Sequence, residues 1–201
     1  MSYIKDIINK DLSENQKKAV LHIEGPLLVF AGAGSGKTKT LTYRVAYLIE
    51  ELKVKPDNIL AVTFTNKASE EMKERIKNLL NKDINLFWIG TFHSMCSRIL
   101  RKEIVYLGYN KNFTILDEDD SLKIIDEAIK NLDFQKNYFQ SREIYNKISY
   151  IKSIDLFVED YIPKDGYDEA LKKIFLKYEE IKKNGNLVDF DDLINFVTKI
   201  L

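Results

Sequence analysis

The residues from 31 to 38, AGAGSGKT, have the types and spacing of a loop that binds phosphate. In such a loop a buried strand leads into a tight turn whose backbone N–H groups converge on phosphate oxygens, and the positive end of the next helix adds to the attraction. Lys37 then reaches the β- and γ-phosphates as the catalytic lysine, and the Thr38 hydroxyl is a ligand of Mg²⁺. We therefore predict a nucleotide site formed by Ala31, Gly32, Ala33, Gly34, Ser35, Gly36, Lys37, Thr38 and Lys39.

The alternative for this stretch is an ordinary glycine-rich connection between a strand and a helix. The first position of the usual pattern is glycine, and Ala31 occupies it here. Alanine adds only a methyl group, and the apolar residues before the loop and the helical pattern after it favour phosphate binding. The loop alone does not identify the reaction, since kinases, GTPases and motor proteins all contain one.

Short apolar segments alternate with helical patterns in the first half of the chain, which is typical of an α/β protein whose parallel sheet is covered by helices. Ser13 and Gln16 have the spacing of a capping box at a helix start. Gly108 is expected to end the last helix of this half. The pattern predicts strands at 27–30, 59–62 and 85–90, and helices at 37–52, 66–80 and 92–107.

From residue 109 onward the pattern is mostly helical, which predicts a separate helical unit. Cys96, just before this change, falls on the apolar side of the helix at 92–107, so we interpret it as a core residue rather than a nucleophile. The pattern of the second half predicts one short strand at 112–116 and helices at 118–131, 141–152, 168–183 and within 188–201.

Composition restricts the partners of the protein. The 201 residues include 31 basic and 31 acidic side chains. Residues 1–108 carry 17 of the basic and 12 of the acidic side chains, so a polyanion is expected to prefer the first half. A single cysteine excludes an internal disulfide framework, and the first residues have no apolar core of a secretory signal. No apolar run is long enough to span a bilayer. These features predict a cytoplasmic protein with no membrane partner.

Five blocks of the sequence together resemble the UvrD/PcrA/Rep family of superfamily 1 DNA helicases. They are LSENQKKAV at 12–20, AGAGSGKT at 31–38, LAVTFTNKASEEMKERI at 60–76, GTFHSMCSRILR at 90–101 and VDFDDLI at 188–194. The resemblance implies a RecA-like P-loop NTPase sheet with an inserted, mostly helical subdomain. Residues 1–108 would belong to the first motor domain, residues 109–185 to the insertion, and residues 186–201 to the return into the motor domain.

The same resemblance implies roles for individual residues. Gln16 would read the adenine edge through its two-sided amide, although its capping-box position gives it a structural role as well. Phe64, Thr65 and Asn66 would contact single-stranded DNA, where an exposed ring offers a stacking face and a helix start offers donors to phosphate; the alternative is a strand end and an ordinary helix cap. Thr91 and His93 would form the next contact with DNA, whereas Phe92 is equally compatible with packing.

A motor ATPase also requires a carboxylate pair that holds Mg²⁺ and activates the attacking water. The acids at 117–120 are explained by the helix dipole at a predicted helix start, and Asp126-Glu127 by an exposed helix face. Asp189, Asp191 and Asp192 suggest a metal site as an alternative, but Asp191 and Asp192 are explained by another helix start. The resemblance places the carboxylate motif beyond Leu201, together with the second motor domain and its arginine fingers. We therefore expect an N-terminal fragment that has almost no turnover alone and requires the rest of the helicase chain.

These observations favour a parent protein that uses ATP and Mg²⁺ to move 3′ to 5′ on single-stranded DNA and unwind duplexes at single/double-strand junctions, in repair or replication. The polarity is implied by the resemblance alone. A phosphotransferase with the same loop is one alternative, and it requires a basic lid and an acceptor pocket that the sequence does not reveal. A non-catalytic module that only binds nucleotide or DNA is the other.

Overall fold

The computed structural model describes residues 3–135, 138–154 and 157–201. The chain divides into two compact units, Met1–Met95 and Cys96–Leu201. Helices and short parallel strands make up both units, which confirms the α/β class. Among the described residues, none of the helices has the length and apolar character needed to cross a membrane.

The first unit consists of helices packed on a two-stranded sheet. Its core is formed by apolar residues of its helices and strands, including Val20, Val45, Met72, Ile76 and Ile89. The elements are α1 (Tyr3–Asp11), α2 (Glu14–Leu21), α3 (Lys37–Glu50), a 3₁₀ turn (Pro56–Asn58), β1 (Ala61–Thr63), α4 (Asn66–Leu80), β2 (Ile89–Thr91) and the beginning of α5 (Phe92–Glu103).

The strands β1 and β2 are parallel neighbours joined through α4. Ala61 pairs with Ile89, and Thr63 pairs with Thr91. Both strands are displaced by a few residues from the predicted ranges, but their order and direction are those expected. Because the two strands are parallel and in this register, the backbone leaves both of them at the same edge of the sheet, immediately after Thr63 and Thr91.

The predicted strand at 27–30 is wrong. These residues lie outside both sheets, and Leu28 and Phe30 are 77% and 90% exposed. A buried parallel strand requires hydrogen-bonded neighbours and cover on both faces. In the part of the chain that the structure describes, the sheet of this unit contains β1 and β2 paired with each other, and residues 27–30 do not join it. An apolar run indicates a preference for burial but does not identify a partner.

Helix α1 was not among the predicted elements. Ile4 and Ile8 are buried in the core of the first unit, and Leu12 follows them one turn later. This spacing of four residues is the signal of an amphipathic helix and could have revealed α1.

The second unit is mainly helical. After α5 the chain forms a 3₁₀ turn (Ile104–Leu107) that ends at Gly108 in the left-handed region, with φ of 76°. The remaining elements are β3 (Thr114–Ile115), α6 (Glu118–Asn131), α7 (Ser141–Ser153), α8 (Gly166–Asn184), β4 (Leu187–Val188) and α9 (Phe190–Ile200). Strands β3 and β4 are parallel, with Thr114 opposite Leu187. Cys96 packs against the core of this unit, which agrees with its interpretation as a core residue.

A group of mostly buried charges, which we call the lysine–carboxylate cluster, joins α7, α8 and the start of α9. Its members are Lys152, Glu179, Lys182, Asp189 and Asp192. The ammonium of Lys182 lies 2.7 Å from Asp189 Oδ2 and 2.5 Å from Asp192 Oδ2. The ammonium of Lys152 lies 2.7 Å from Asp189 Oδ2 and 2.6 Å from Asp192 Oδ1. Glu179 Oε1 is within 2.9 Å of both ammonium groups.

The cluster shifts the pKa values of its members. Burial by itself would raise the pKa of Asp189, but the charges and hydrogen bonds of Lys152 and Lys182 hold it well below its usual range. Burial and the neighbouring Asp189 carboxylate together raise the pKa of Asp192 to about 6, against the effect of the two lysines. Three carboxylates surround two ammonium groups, so one carboxylate is in excess and accepts a proton more readily.

The acidic residues at helix starts have the structural roles that were predicted. The side chain of Asp117 accepts a hydrogen bond from the backbone N–H of Asp120 at the start of α6. Asp189 and Asp192 form a reciprocal capping box at the start of α9. Oxygen atoms of Glu179, Asp189 and Asp192 lie within 4.8 Å of one another, as in a metal site, but the two lysine ammonium groups already bind these carboxylates.

Candidate functional site

The glycine-rich loop lies directly before α3 and bends through left-handed backbone at two positions. Gly34 and Gly36 have φ of 73° and 85°, values that an L side chain rarely adopts. Gly36 is the N-cap of α3, so Lys37 and Thr38 occupy the first turn of the helix. The loop residues and Thr38 are largely exposed. Backbone N–H groups at this helix start are therefore accessible to an anion.

Lys37 folds back over the loop. Its ammonium donates to the carbonyl oxygens of Ala31 at 2.9 Å and Gly32 at 2.7 Å. The Ser35 hydroxyl donates to the same Gly32 carbonyl at 2.7 Å. These bonds keep the lysine charge beside the glycine-rich loop.

Gln16 connects the start of α2 to this loop. Its Oε1 accepts from the backbone N–H of Ser13 at 3.0 Å, and its Nε2 donates to the carbonyl of Ser35 at 3.0 Å. The Ser13 hydroxyl accepts from the backbone N–H of Gln16, which completes the capping box. The structural role of Gln16 is thus confirmed, and the same amide lies against the predicted phosphate loop.

A cavity of about 540 Å³ lies beside the loop. Gln16, Ser35 and Lys37 line it together with Leu27, Val29 and further residues at α2 and α3. Arg44 of α3 also lines the cavity and was not predicted from the sequence as a site residue. Its Nη1 donates to the carbonyl of Ala19 at 2.6 Å. Residues 37, 40, 41 and 44 share one helix face, and this spacing was the available signal.

Lys39 was predicted to contact the nucleotide, but the structure places it differently from Lys37. Its ammonium donates to the backbone carbonyl of Asp11, the last residue of α1, at 2.7 Å and lies 5.6 Å from the ring centroid of Tyr43. The side chain therefore joins α3 to α1. The other predicted loop residues, Ala31 to Thr38, are brought together around the helix start.

Replacing Gly36 with alanine is expected to destabilise the first unit by about 1–2 kcal/mol, because an alanine pays that cost in the left-handed region. A Cβ at this position would also lie 2.7 Å from Gln16 Nε2 and displace that amide. Urea unfolding followed by circular dichroism measures the effect. The matched control is Gly32→Ala, where a Cβ meets nothing within 4 Å; equal unfolding midpoints for the two variants would contradict the prediction.

The predicted DNA-contacting residues gather where β1 and β2 end. Phe64 follows β1 and is 96% exposed. Thr65 is the N-cap of α4, and its side chain accepts from the backbone N–H of Ala68 at 3.2 Å. Asn66 is the first residue of that helix. This arrangement fits the predicted cap and leaves the aromatic ring of Phe64 available for stacking.

The second predicted contact has the same construction at the neighbouring strand. Thr91 ends β2, and its hydroxyl accepts from the backbone N–H of Ser94 at 3.2 Å. Phe92 and His93 follow as exposed residues in the first turn of α5. Since β1 and β2 are adjacent and in register, the two helix starts lie side by side at the carboxyl edge of the sheet. In α/β proteins this edge is the usual place for ligands.

Residues 12–201 match the family model described as the UvrD/REP helicase N-terminal domain. The match includes the glycine-rich loop, both strand ends with exposed aromatic residues and the helical second unit. The chain therefore belongs to this family, which confirms the family that the five sequence blocks indicated.

The chain is also similar to bacterial proteins named ATP-dependent DNA helicase PcrA. It is 43% identical to that of Bacillus subtilis strain 168 over 202 residues, which cover all of this chain and 27% of the relative. It is 41% identical to that of Staphylococcus epidermidis strain RP62A over 187 residues, with 92% of this chain and 26% of the relative covered. It is 41% identical to that of Staphylococcus aureus strain Mu50 over 190 residues, with 91% of this chain and 25% of the relative covered. The chain thus spans about a quarter of the length of these relatives.

Proposed function

We propose that this chain is the nucleotide- and single-strand-binding N-terminal part of an ATP-dependent DNA helicase that moves 3′ to 5′. Its first unit would belong to a RecA-like motor domain of a cytoplasmic protein in repair or replication. The observation that carries the proposal is the position of Lys37, Thr38 and Gln16 around one glycine-rich helix start in a chain of the UvrD/REP family. The names of the PcrA relatives support ATP as the nucleotide.

In this proposal the triphosphate binds at the start of α3. Lys37 leaves the carbonyls of Ala31 and Gly32 and binds phosphate oxygens, which are stronger acceptors because they are charged. Backbone N–H groups at the helix start bind the remaining oxygens. The exposed hydroxyl of Thr38 suits Mg²⁺, which takes oxygen ligands and normally combines few protein ligands with substrate phosphates. Bound Mg²⁺ would neutralise part of the phosphate charge.

The base would lie in the cavity beside Gln16. The amide offers a donor and an acceptor, the combination that adenine requires and that guanine, with two acceptors on the corresponding edge, does not match. Leu27 and Val29 contribute apolar surface to the same cavity. A preference for ATP over GTP is therefore part of the proposal.

Single-stranded DNA would cross the carboxyl edge of β1 and β2. Phe64 is available to stack on a base, and the starts of α4 and α5 offer backbone N–H groups to two phosphates. The longer protein would bind the junctions between single-stranded and duplex DNA. This part of the proposal rests on the two parallel strand ends in register.

Phe64→Ala is expected to weaken binding of a labelled oligothymidine by roughly 5- to 150-fold, because stacking of one base on an aromatic ring contributes about 1–3 kcal/mol. Fluorescence anisotropy at several salt concentrations measures the affinity. The salt dependence is expected to stay unchanged, since it reports on phosphate contacts. Tyr106→Ala removes another exposed ring and is the control; equal losses for the two variants would contradict a specific role for Phe64.

The decisive experiment for the function compares turnover with binding. The 201-residue chain is expected to bind MgATP and single-stranded DNA with little hydrolysis, whereas the longer protein is expected to hydrolyse ATP faster when DNA is added. Transfer of phosphate from ATP to a nucleoside or sugar would instead support a phosphotransferase. Binding without any DNA-stimulated hydrolysis in the longer protein would support a non-catalytic module.

A further inference from the structure

A second cleft of the first unit lies between α1, α3 and α4. Its volume is about 480 Å³, and Lys10 of α1, Lys39 of α3 and Arg75 of α4 line it. Its described lining residues are all different from those of the cavity beside the glycine-rich loop. They also differ from the exposed residues after β1 and β2. The cleft is therefore separate from both parts of the proposed site.

The lining of this cleft is positively charged. Lys10, Lys39 and Arg75 contribute three cations and Asp11 contributes one carboxylate, so the net charge of the lining is +2. Among the residues that the structure describes, neither Lys10 nor Lys39 has an ion-pair partner, and the Lys39 ammonium donates to the backbone carbonyl of Asp11. Arg75 lies 3.6 Å from Glu71 in an exposed pair, which compensates little of its charge.

Two lysines of the same helices that lie outside the cleft are paired with acids. Lys5 of α1 lies 2.9 Å from Glu51, and Lys73 of α4 lies 2.7 Å from Glu70. The positive charge inside the cleft is less compensated than the charge at these two positions. Like charges repel one another, so an anion that binds among the three cations would lower the electrostatic energy of the cleft.

Tyr3 indicates which class of anion the cleft would bind. It lines the cleft, is 62% exposed and lies two helical turns from Lys10 on the same face of α1. Basic side chains beside an exposed aromatic ring are typical of a surface for single-stranded nucleic acid, because the cations bind phosphates and the ring stacks on a base. Asn78 adds an exposed amide with further donors. An acidic peptide would use the cations but not the ring.

We propose that this cleft is a second contact for single-stranded DNA, apart from the carboxyl edge of β1 and β2. The inference rests on the proposed binding of DNA and adds a site to it. Arg75 is the tenth residue of α4, so it lies about 14 Å along the helix axis from the start of α4 at that edge. The two contacts are close enough for one strand of several nucleotides to bind both.

The test compares two double variants of the 201-residue chain, each with the same loss of charge. Lys10→Gln/Arg75→Gln removes two cations of the cleft, whereas Lys5→Gln/Lys73→Gln removes two cations of the same helices outside it. Binding of a labelled oligothymidine is measured by fluorescence anisotropy at several salt concentrations. Lys10 and Arg75 are exposed, so the fold is expected to be retained, which circular dichroism checks.

The cleft double variant is expected to bind the oligothymidine roughly ten-fold more weakly at low salt. The slope of log affinity against log salt is expected to fall by about 1.4, or about 0.7 for each lost phosphate contact. The control double variant is expected to stay within about two-fold of the unmodified chain, because exposed charges outside the contact are screened. Equal losses in the two double variants would assign the effect to net charge and overturn the inference.

Tyr3→Ala tests whether the ligand of the cleft is a nucleic acid. It is expected to weaken oligothymidine binding by about five-fold or more and to leave the salt slope unchanged, because it removes a stacking surface and no charge. Labelled polyglutamate is the second probe. If Lys10→Gln/Arg75→Gln weakens polyglutamate binding and leaves oligothymidine binding unchanged, the cleft binds an acidic protein and the inference is overturned.

Comparison with Phe64→Ala separates the inference from the proposed function. Unchanged binding in the cleft double variant, together with weaker binding in Phe64→Ala, would overturn the second contact and leave the proposed contact at the carboxyl edge intact. The reverse result would support the second contact and contradict the first. An unmodified chain that does not bind oligothymidine would overturn both.

Discussion

Lys37→Ala is expected to abolish binding of MgATP by the 201-residue chain. The ammonium of Lys37 already lies at the mouth of the loop, on the carbonyls of Ala31 and Gly32. Charge-assisted hydrogen bonds contribute about 1.5–3 kcal/mol each, so loss of contacts to two phosphates is expected to weaken binding by roughly 100-fold or more. In the unmodified chain, ATP at 100 times its dissociation constant would add about 2.7 kcal/mol of stability. The corresponding shift of the melting temperature is expected to disappear in the variant.

Lys55→Ala is a charge-matched control for this experiment, because Lys55 is an exposed lysine after the end of α3. It changes the net charge by the same amount and is expected to retain the ATP-dependent shift. A full ATP-dependent shift of the melting temperature in Lys37→Ala would contradict the proposed role of the loop in binding phosphate. Loss of the shift in both variants would indicate that general electrostatic attraction, rather than the loop, determines binding.

Lys182→Met is expected to destabilise the second unit by about 3–5 kcal/mol, the usual cost of removing one partner from a buried ion pair. Lys182 is fully buried, and its ammonium contacts Asp189, Asp192 and Glu179. Methionine fills nearly the same space but leaves three carboxylates facing Lys152 alone. Since proteins are commonly stable by only about 5–15 kcal/mol, urea unfolding followed by circular dichroism should show a large shift of the midpoint.

The control for the cluster is Lys177→Met on the same helix. Lys177 is paired at 3.0 Å with Glu180 across one helical turn near the surface, where such a pair contributes about 0–1 kcal/mol. The double variant Lys182→Met/Asp192→Asn removes one excess carboxylate charge and is expected to regain part of the lost stability. A Lys182→Met chain as stable as Lys177→Met would mean that the buried cluster is not formed in solution.

The local features of the fold were predictable because they depend on neighbours in the sequence. Capping side chains lie three residues from the N–H groups that they bind, as at Ser13, Thr65, Asp117 and Asp189. Helical periodicity gave the ranges of α3, α4 and α6 to within two residues. The glycine-rich loop was recognised because its residue types recur at fixed spacing within a short stretch, whereas the two blocks proposed to contact DNA were assigned through the family resemblance.

Apart from α1 and Arg44, which local spacing could have revealed, the features that were missed depend on residues far apart in the chain. The run at 27–30 has the composition of a buried strand, but its environment decides whether it pairs. The lysine–carboxylate cluster brings Lys152 to Asp189 and Asp192 across some 40 positions, so no local pattern distinguishes its buried lysines from exposed ones. The bond from Gln16 to Ser35 is similar, because a capping residue gives no sign in the sequence that its amide also contacts a distant loop.

The pairing of β3 with β4 has a consequence for the order in which the second unit folds. Thr114 donates its backbone N–H to Asn186, and Leu116 donates to Val188, although about 70 residues separate the two strands. Closing so long a segment lowers the entropy of the chain before the stabilising contacts between the strands have formed, and such pairings therefore form slowly. Helices α6, α7 and α8 are therefore expected to assemble first and to shorten the effective distance between the strands. The small sheet and α9 then complete the unit in its final folding step.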